Sequence, residues 1–180
     1  MSDILSLGVQ RELKPKIEDL LPYFVSGEEA ETAAGFVSHL RENKISLRWA
    51  GVHNFWNAKT KGKNICYVKL GGSWIGRKLP GTEVTVKWEV ILNLLHMSEY
   101  ESKIIGENMQ DYIWDGFAYC RACNNGCSPG VNRTILGRDF TGLCHGMFYT
   151  RFVISFTNPD EAAIENIKML LEWEKQARTV

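Results

Sequence analysis

Four of the five cysteines fall in one glycine-rich segment, residues 120–144, with the spacing Cys120-x2-Cys123-x3-Cys127-x16-Cys144. Four glycines and a proline between the cysteines interrupt any helical or alternating apolar pattern. We therefore expect a loop that apolar packing alone cannot order. The hydrophobic core has to be built from the chain on either side of this loop.

These cysteines are candidate ligands for a metal ion. A Cys-x2-Cys pair can direct two thiolates at one point, and the freedom of Gly126 would help Cys127 to fold back toward them. Cys144 could close the site from the start of the last strand. Four thiolates in a tetrahedron are a ligand set of structural zinc, and a bound metal supplies folding energy where apolar packing is thin. The spacing therefore predicts Zn²⁺ held by Cys120, Cys123, Cys127 and Cys144.

Other interpretations of the cysteines stay open. An iron–sulfur cluster also takes four cysteines, although this spacing matches neither of the common ferredoxin patterns. Cys120 and Cys123 could instead serve redox or catalytic chemistry, or the cysteines could hold no ligand at all. His145 could replace one cysteine as a ligand. Cys66 stands apart, because it lies inside a predicted strand and is expected to be a small buried hydrophobic residue.

Outside this segment, apolar periodicity and capping residues predict a series of helices and strands. The predicted helices span residues 14–21, 27–43, 85–96, 98–105, 108–114 and 159–177, and the predicted strands span 45–50, 65–70, 73–75 and 148–156. Residues 52–56 could continue the first strand. This order is not the regular strand–helix alternation of a parallel sheet. It predicts an α+β fold, in which a small mixed or antiparallel sheet is packed by helices and carries the cysteine-rich metal-binding loop.

Residues 84–95 fit two patterns at once. Val84, Val86, Trp88 and Val90 alternate as in a strand, whereas Trp88, Ile91, Leu92 and Leu95 recur as in a helix. Periodicity alone does not separate a buried strand from a buried helix in so short a segment. We predict the helix here.

The length and charge of the chain narrow what it can be. Its 180 residues fit one domain, residues 1–180, with an N-terminal helical arm (1–25) and the cysteine-rich loop (120–144). The 21 basic residues are balanced by 21 acidic ones, which is unusual for a nucleic-acid-binding domain. No apolar run reaches the roughly 18 residues of a membrane span, and residues 1–21 lack the apolar core of a signal peptide. We therefore expect a cytoplasmic protein that binds neither nucleic acid nor membrane.

A second candidate site is aromatic. Trp56 and Trp74 lie beside predicted turns, with Tyr67 in the strand between them and with His53 and Arg48 as polar neighbours. Tryptophan offers a large apolar surface and one N–H donor, so such residues on a sheet can line a cleft for a flat organic ligand. The alternative is that these tryptophans simply fill the core.

The common catalytic and phosphate-binding motifs are missing from the sequence. The sequence therefore predicts a zinc-stapled module that binds a small organic molecule in an aromatic cleft, as a sensor or carrier. A metal-dependent or thiol-dependent enzyme and a protein-interaction module are the alternatives. Whether any reaction is catalysed, and the oligomeric state, are left open by the sequence.

Overall fold

The computed structural model describes residues 4–72, 85–119, 130–148 and 151–178, and within these ranges the chain forms six α-helices and seven strands. The helices are α1 (Leu7–Leu13), α2 (Glu28–Glu42), α3 (Glu101–Gly106), α4 (Gln110–Asp115), α5 (His145–Phe148) and α6 (Glu161–Ala177). Short 3₁₀ turns occupy Ile17–Asp19, Leu21–Tyr23 and Met97–Glu99. The strands are β1 (Ser46–Trp49), β2 (Phe55–Thr60), β3 (Lys63–Leu70), β4 (Trp88–Leu94), β5 (Val131–Ile135), β6 (Arg138–Leu143) and β7 (Phe152–Thr157).

Five of these strands form one antiparallel sheet in the order β1-β2-β3-β4-β7, and β5 pairs with β6 in a separate hairpin. β1, β2 and β3 form a meander, whereas β7 joins β4 after the intervening helices and hairpin. The predicted α+β class, with an antiparallel sheet packed by helices, is therefore confirmed. None of the described helices is long and apolar enough to cross a bilayer.

Helices α2 and α6 pack over one side of this sheet, which we call the helix face. Trp56, Val68 and Val90 are neighbours on adjacent strands and share the main core with buried residues of both helices. Complete burial of one large apolar side chain contributes about 1.5–3 kcal/mol. The last helix, predicted over residues 159–177, buries one apolar stripe that consists of Ile164, Ile167, Leu170 and Leu171.

The helix predicted for residues 85–96 is wrong, because Trp88–Leu94 form β4. This strand lies inside the sheet between β3 and β7, and all seven of its residues are buried. A strand covered on both faces carries apolar residues at successive positions, which weakens the alternation that identifies strands in a sequence. The helical spacing of its large side chains is a by-product of burial on both sides.

The N-terminal helix also lies elsewhere than predicted. The α-helix is Leu7–Leu13, whose first turn is capped by the Ser6 hydroxyl, and it ends where Lys14 adopts a left-handed backbone (φ 47°). Residues 14–21 instead contain Pro15 and one 3₁₀ turn. Proline fixes its own φ and disfavours helical geometry in the residue before it, so the chain changes direction here.

The two long helices begin one and two residues later than predicted. Helix α2 begins at Glu28 after its cap Gly27, and α6 begins at Glu161 after its cap Asp160. The Asn158 side chain is engaged elsewhere, because its Oδ1 accepts the backbone N–H groups of Lys87 and the first residue of β4. Asparagine next to a turn readily makes such local bonds, and here they tie the start of α6 to the sheet.

The segment predicted as a loop, residues 120–144, contains the β5–β6 hairpin. Its two-residue turn is formed by Leu136 and Gly137, which both have positive φ (51° and 78°) as a type I′ hairpin turn requires. The predicted extension of β1 over residues 52–56 is also wrong, because the chain turns back before Phe55 and begins β2. The last strand starts at Phe152, later than predicted, because α5 precedes it.

Candidate functional site

Alternate side chains of the sheet point away from α2 and α6, and we call this side the outer face. The strand register places these side chains in rows that run across the sheet. One row crosses all five strands: Arg48, Asn57, Tyr67, Ile91 and Ser155. The next row crosses four: Phe55, Lys69, Glu89 and Thr157. The outer face therefore mixes charged, amide, hydroxyl and aromatic groups.

The outer face is open on its β1–β3 side. Arg48 is exposed, and both Asn57 and Tyr67 are half-buried. Directly opposed side chains on neighbouring strands have Cβ atoms about 4.5–5.5 Å apart, so these three groups lie in a continuous line. The Phe55 ring lies beside Tyr67, with ring centroids 5.4 Å apart and an interplanar angle of 33°. A guanidinium, an amide and a phenol beside an aromatic surface can bind a flat polar molecule.

The outer face is closed on its β4–β7 side. Phe55, Ile91 and Val153 form a small apolar cluster against which Met147 of α5 packs. Ile91 is fully buried, so the middle of the face is a second, smaller core. A ligand on the outer face would therefore lie over the β1–β3 half and meet this cluster at its edge.

Charged groups of opposite sign meet within the second row. Glu89 is fully buried, and the hydroxyl of Ser155 donates to its carboxylate. Lys69 is the cross-strand neighbour of Glu89, and its ammonium donates to the carbonyl oxygen of Gly71 at 2.8 Å. Partial burial lowers the pKa of Lys69, and the nearby Glu89 charge acts in the opposite direction. Such charges are costly inside a sheet unless they are paired or used.

The other buried carboxylate has a structural role. Glu174 of α6 accepts hydrogen bonds from the backbone N–H groups of Leu95 and His96 at 2.9 and 3.1 Å. It also accepts the Tyr100 hydroxyl at 2.8 Å and Nε of Arg178 at 2.7 Å. Four donors on one carboxylate satisfy it fully. This network fastens the end of α6 to the end of β4 and leaves no free oxygen for a ligand.

The structure brings together two of the five residues predicted for the aromatic cleft. Arg48 and Tyr67 share the first outer-face row. His53 lies in the β1–β2 connection, where its Nε2 is 2.5 Å from the carbonyl oxygen of Leu5. Trp74 lies outside the described residues.

Trp56 points to the opposite side of the sheet from that row. It is 1% exposed on the helix face, and its indole N–H donates to the carbonyl oxygen of Pro15 at 3.0 Å. It therefore has no surface to offer a ligand. The reason is the turn before β2. Because the chain reverses there, Trp56 pairs with Trp49 on β1, and its side chain packs into the main core.

Sequence reasoning missed Lys69 and Glu89 as members of the site. Alternation along β3 was a usable signal for Lys69, because it is in phase with Tyr67 on the same strand. Glu89 had no such signal, because it joins the face only when residues 88–94 are recognised as a strand.

No protein-family model, curated protein or solved structure matches this chain. The site is therefore interpreted from its own residues and geometry.

Only one member of the predicted metal site belongs to the described residues. Cys144 is half-buried and its thiol is free, whereas Cys120, Cys123 and Cys127 lie outside the described residues. Within residues 4–72, 85–119, 130–148 and 151–178 no three His, Cys, Asp or Glu side chains cluster as metal ligands would. Cys66 is fully buried in the main core, and burial raises the pKa of its thiol to about 12.

The backbone around Cys144 brings distant parts of the chain together. Leu143, the last residue of β6, pairs with Val131 on β5 and, through an isolated bridge, with Tyr119. Neighbouring strands lie about 4.8 Å apart, so Tyr119 and Val131 are held roughly 10 Å apart across β6. These two residues flank residues 120–130 in the chain, and Cys144 directly follows Leu143. The segment that carries the other three cysteines therefore begins and ends beside the fourth.

Proposed function

We propose that this protein is a sensor or carrier that binds a small organic molecule on the outer face of its sheet. The observation that carries the proposal is the row Arg48, Asn57 and Tyr67, in which three different polar groups share one partly open surface. The site differs from the cleft expected from the sequence, because Tyr67 supplies its aromatic surface and the buried Trp56 does not.

The chemistry of the row favours a flat ligand with polar substituents. The half-buried Tyr67 ring, which packs beside the buried Phe55, offers surface for stacking or edge contacts. The Arg48 guanidinium can meet a carboxylate with two parallel N–H donors, and the Asn57 amide can both donate and accept. Because Arg48 is exposed, its contribution to binding is screened by solvent and is expected to be modest.

A nuclear magnetic resonance titration tests this proposal with three defined probes: benzoate, indole-3-acetate and benzamide. We expect at least one probe to shift the backbone resonances of Arg48, Asn57 and Tyr67 saturably. Arg48→Gln should weaken binding of the two acids about threefold to tenfold and leave benzamide unchanged. Arg11→Gln is the matched control, because Arg11 is an exposed arginine on α1. Failure of all three probes to shift the outer face at millimolar concentration would count decisively against the proposal.

We also propose that Zn²⁺ holds the cysteine segment, with Cys120, Cys123, Cys127 and Cys144 as its ligands. The support is that Tyr119 and Val131, the residues on either side of residues 120–130, both pair with Leu143, which directly precedes Cys144. Thiolates are ligands that zinc prefers, and four of them leave no open position for catalysis. The metal would therefore act as a structural staple. Thiols persist in a reducing compartment, which agrees with a cytoplasmic location.

Elemental analysis of the purified protein tests the zinc site. We expect about one equivalent of zinc in the wild type and a large loss in Cys144→Ala, because three thiolates hold zinc less tightly. Cys66→Ala is the control and should keep its zinc, because Cys66 is buried in the core with a raised thiol pKa. A chelator should lower the melting temperature of the wild type. Bound iron in place of zinc would support the iron–sulfur alternative, and the absence of both metals would refute the staple.

A further inference from the structure

Two side-chain amide oxygens at one end of the sheet are buried without a hydrogen-bond donor in the described part of the chain. They are Oδ1 of Asn64 on β3 and Oδ1 of Asn93 on β4. Asn93 is only 6% exposed. Buried polar atoms in native proteins nearly always have a partner, and an orphaned one calls for an explanation. A donor from outside these residues is the simplest one.

The orientation of the Asn93 amide is fixed by its other end. Its Nδ2 donates to the backbone carbonyl oxygen of Asn64 at 3.1 Å, so the atom left without a partner is the oxygen. The nearby Arg178 donates to other acceptors and makes no hydrogen bond to either side-chain oxygen. Nε donates to Glu174, and the two terminal nitrogens donate to the backbone carbonyl oxygens of Asn64 and Asn93.

These two oxygens belong to the same site as the first outer-face row. Asn93 is in phase along β4 with Glu89 and Ile91, so its side chain leaves the sheet on the outer face. The Asn64 side chain reaches the same side, because its Nδ2 lies 3.3 Å from the Tyr67 hydroxyl. Glu89 is four residues away along β4, about 14 Å, and does not compete for the same group.

The surroundings select the chemistry of the missing partner. Two oxygen acceptors repel an anionic group, and an ammonium buried beside two neutral amides would lose its hydration without gaining a counter-charge, since the nearby Arg178 and Glu174 are already paired with each other. A neutral group with N–H or O–H donors suits both conditions. We propose that the outer face binds the neutral donor end of its ligand, a primary amide or a hydroxyl, at Asn64 and Asn93 beside Tyr67. This inference rests on the proposed function and names the class of ligand for the same site.

Two matched probes test the proposal on the wild-type protein. Benzamide and N,N-dimethylbenzamide share a ring and a carbonyl group, but only benzamide has N–H donors. We expect benzamide to shift the side-chain amide resonances of Asn64 and Asn93 and to bind about threefold to tenfold more tightly than its dimethyl analogue. A crystal structure of the benzamide complex should then place the amide nitrogen within hydrogen-bond distance of Oδ1 of Asn93.

Other results would overturn the inference. If both probes bind with equal affinity and shift the resonances of Arg48 and Tyr67, the inference is wrong, but the proposed function is still supported. A crystal structure in which an ordered water alone occupies the two oxygens would also overturn it. If neither benzamide nor its dimethyl analogue shifts any resonance of the outer face, the inference is also contradicted. Titrations with benzoate and indole-3-acetate then decide separately whether the outer face binds a ligand at all.

Asn93→Leu provides the variant test, because leucine has a similar volume and removes the orphaned oxygen. We expect the free variant to stay folded and to lose its preference for benzamide over the dimethyl analogue. Retention of that preference in a folded Asn93→Leu protein would contradict the assignment. The probe comparison on the wild type needs no variant, so the proposal stays testable even if this substitution prevents folding.

Discussion

Successive residues of one strand serve two different surfaces in this molecule. On β4, Trp88 and Val90 face α2 and α6 and are buried in the main core. Glu89 and Asn93 leave the same strand on the outer face, where a carboxylate and an orphaned amide oxygen are buried beside Ile91. The helix face is closed and mainly apolar, although the buried indole N–H of Trp88 also lacks an acceptor among the described residues, whereas the outer face carries charged and amide groups. The helix face therefore holds the fold, and the polar groups of the outer face are the reason for proposing a binding role there.

The two buried glutamates make the same contrast. Glu174 has four donors from the protein and joins α6 to the sheet. Glu89 lies on the outer face with the Ser155 hydroxyl on its carboxylate and with Lys69 as its cross-strand neighbour. The Glu174 carboxylate therefore has all its hydrogen bonds within the fold, and its role is to stabilise the packing of α6 on the sheet. The Glu89 carboxylate lies on the face that we propose for binding and is bonded there to Ser155.

The largest difference between the faces is expected from aromatic deletions. Trp88→Ala on the helix face should lower the free energy of unfolding by about 3–5 kcal/mol, because Trp88 is fully buried against Phe36 and the main core. Tyr67→Ala on the outer face should lower it by about 1 kcal/mol, because the Tyr67 ring is half-buried. Urea unfolding followed by circular dichroism measures both values. Equal losses would break the distinction between the two faces.

A smaller effect is expected in the pH dependence of the free energy of unfolding, through His39 on α2. Partial burial lowers the pKa of His39 on α2 below its ordinary value of 6.5. The unfolded chain therefore takes up a proton first as the pH falls, so stability should decrease below about pH 6.5 until the folded-state pKa is reached. The charged groups that act on His39 lie on α2 and on the facing α6: Lys168, Glu165, Glu42 and Glu172.

His39→Gln removes this titration. The variant should unfold at the same urea concentration as the wild type at pH 7.5 and should lose less stability than the wild type between about pH 6.5 and pH 5. Parallel curves for the two proteins would show that His39 does not contribute. A steeper decrease in the variant would contradict the sign of the shift.

The sequence predicted those elements that have one buried face. Helices α2 and α6 and strands β1 and β3 have apolar residues on one side and polar residues on the other, so their period is visible. Strand β4 was not predicted, because burial on both of its faces removes the contrast between apolar and polar positions. The β5–β6 hairpin was not predicted, because the glycines and cysteines of residues 120–144 indicated a loop. Leu136 and Gly137 nevertheless form an ordinary hairpin turn.

The candidate site could be predicted only in part for a related reason. Arg48 and Tyr67 lie on strands that were recognised, so their place on one face followed from alternation. Trp56 was assigned to an extension of β1, and the turn before β2 reversed the direction of its side chain. Glu89 and Asn93 depend on a pairing between strands that lie far apart in sequence, which no local pattern contains.

Two tyrosines that lose only a hydroxyl test the division of the faces most directly. Tyr100→Phe removes the donor to Glu174, so it should lower the free energy of unfolding by about 1–3 kcal/mol and leave benzamide binding unchanged. Tyr67→Phe should lower that free energy by less than about 1 kcal/mol, because the Asn64 Nδ2 contact that it removes is long, at 3.3 Å, and only partly buried. It should weaken benzamide binding about threefold to tenfold. Wild-type benzamide affinity in Tyr67→Phe, or its loss in a folded Tyr100→Phe protein, would contradict a binding role for the outer face.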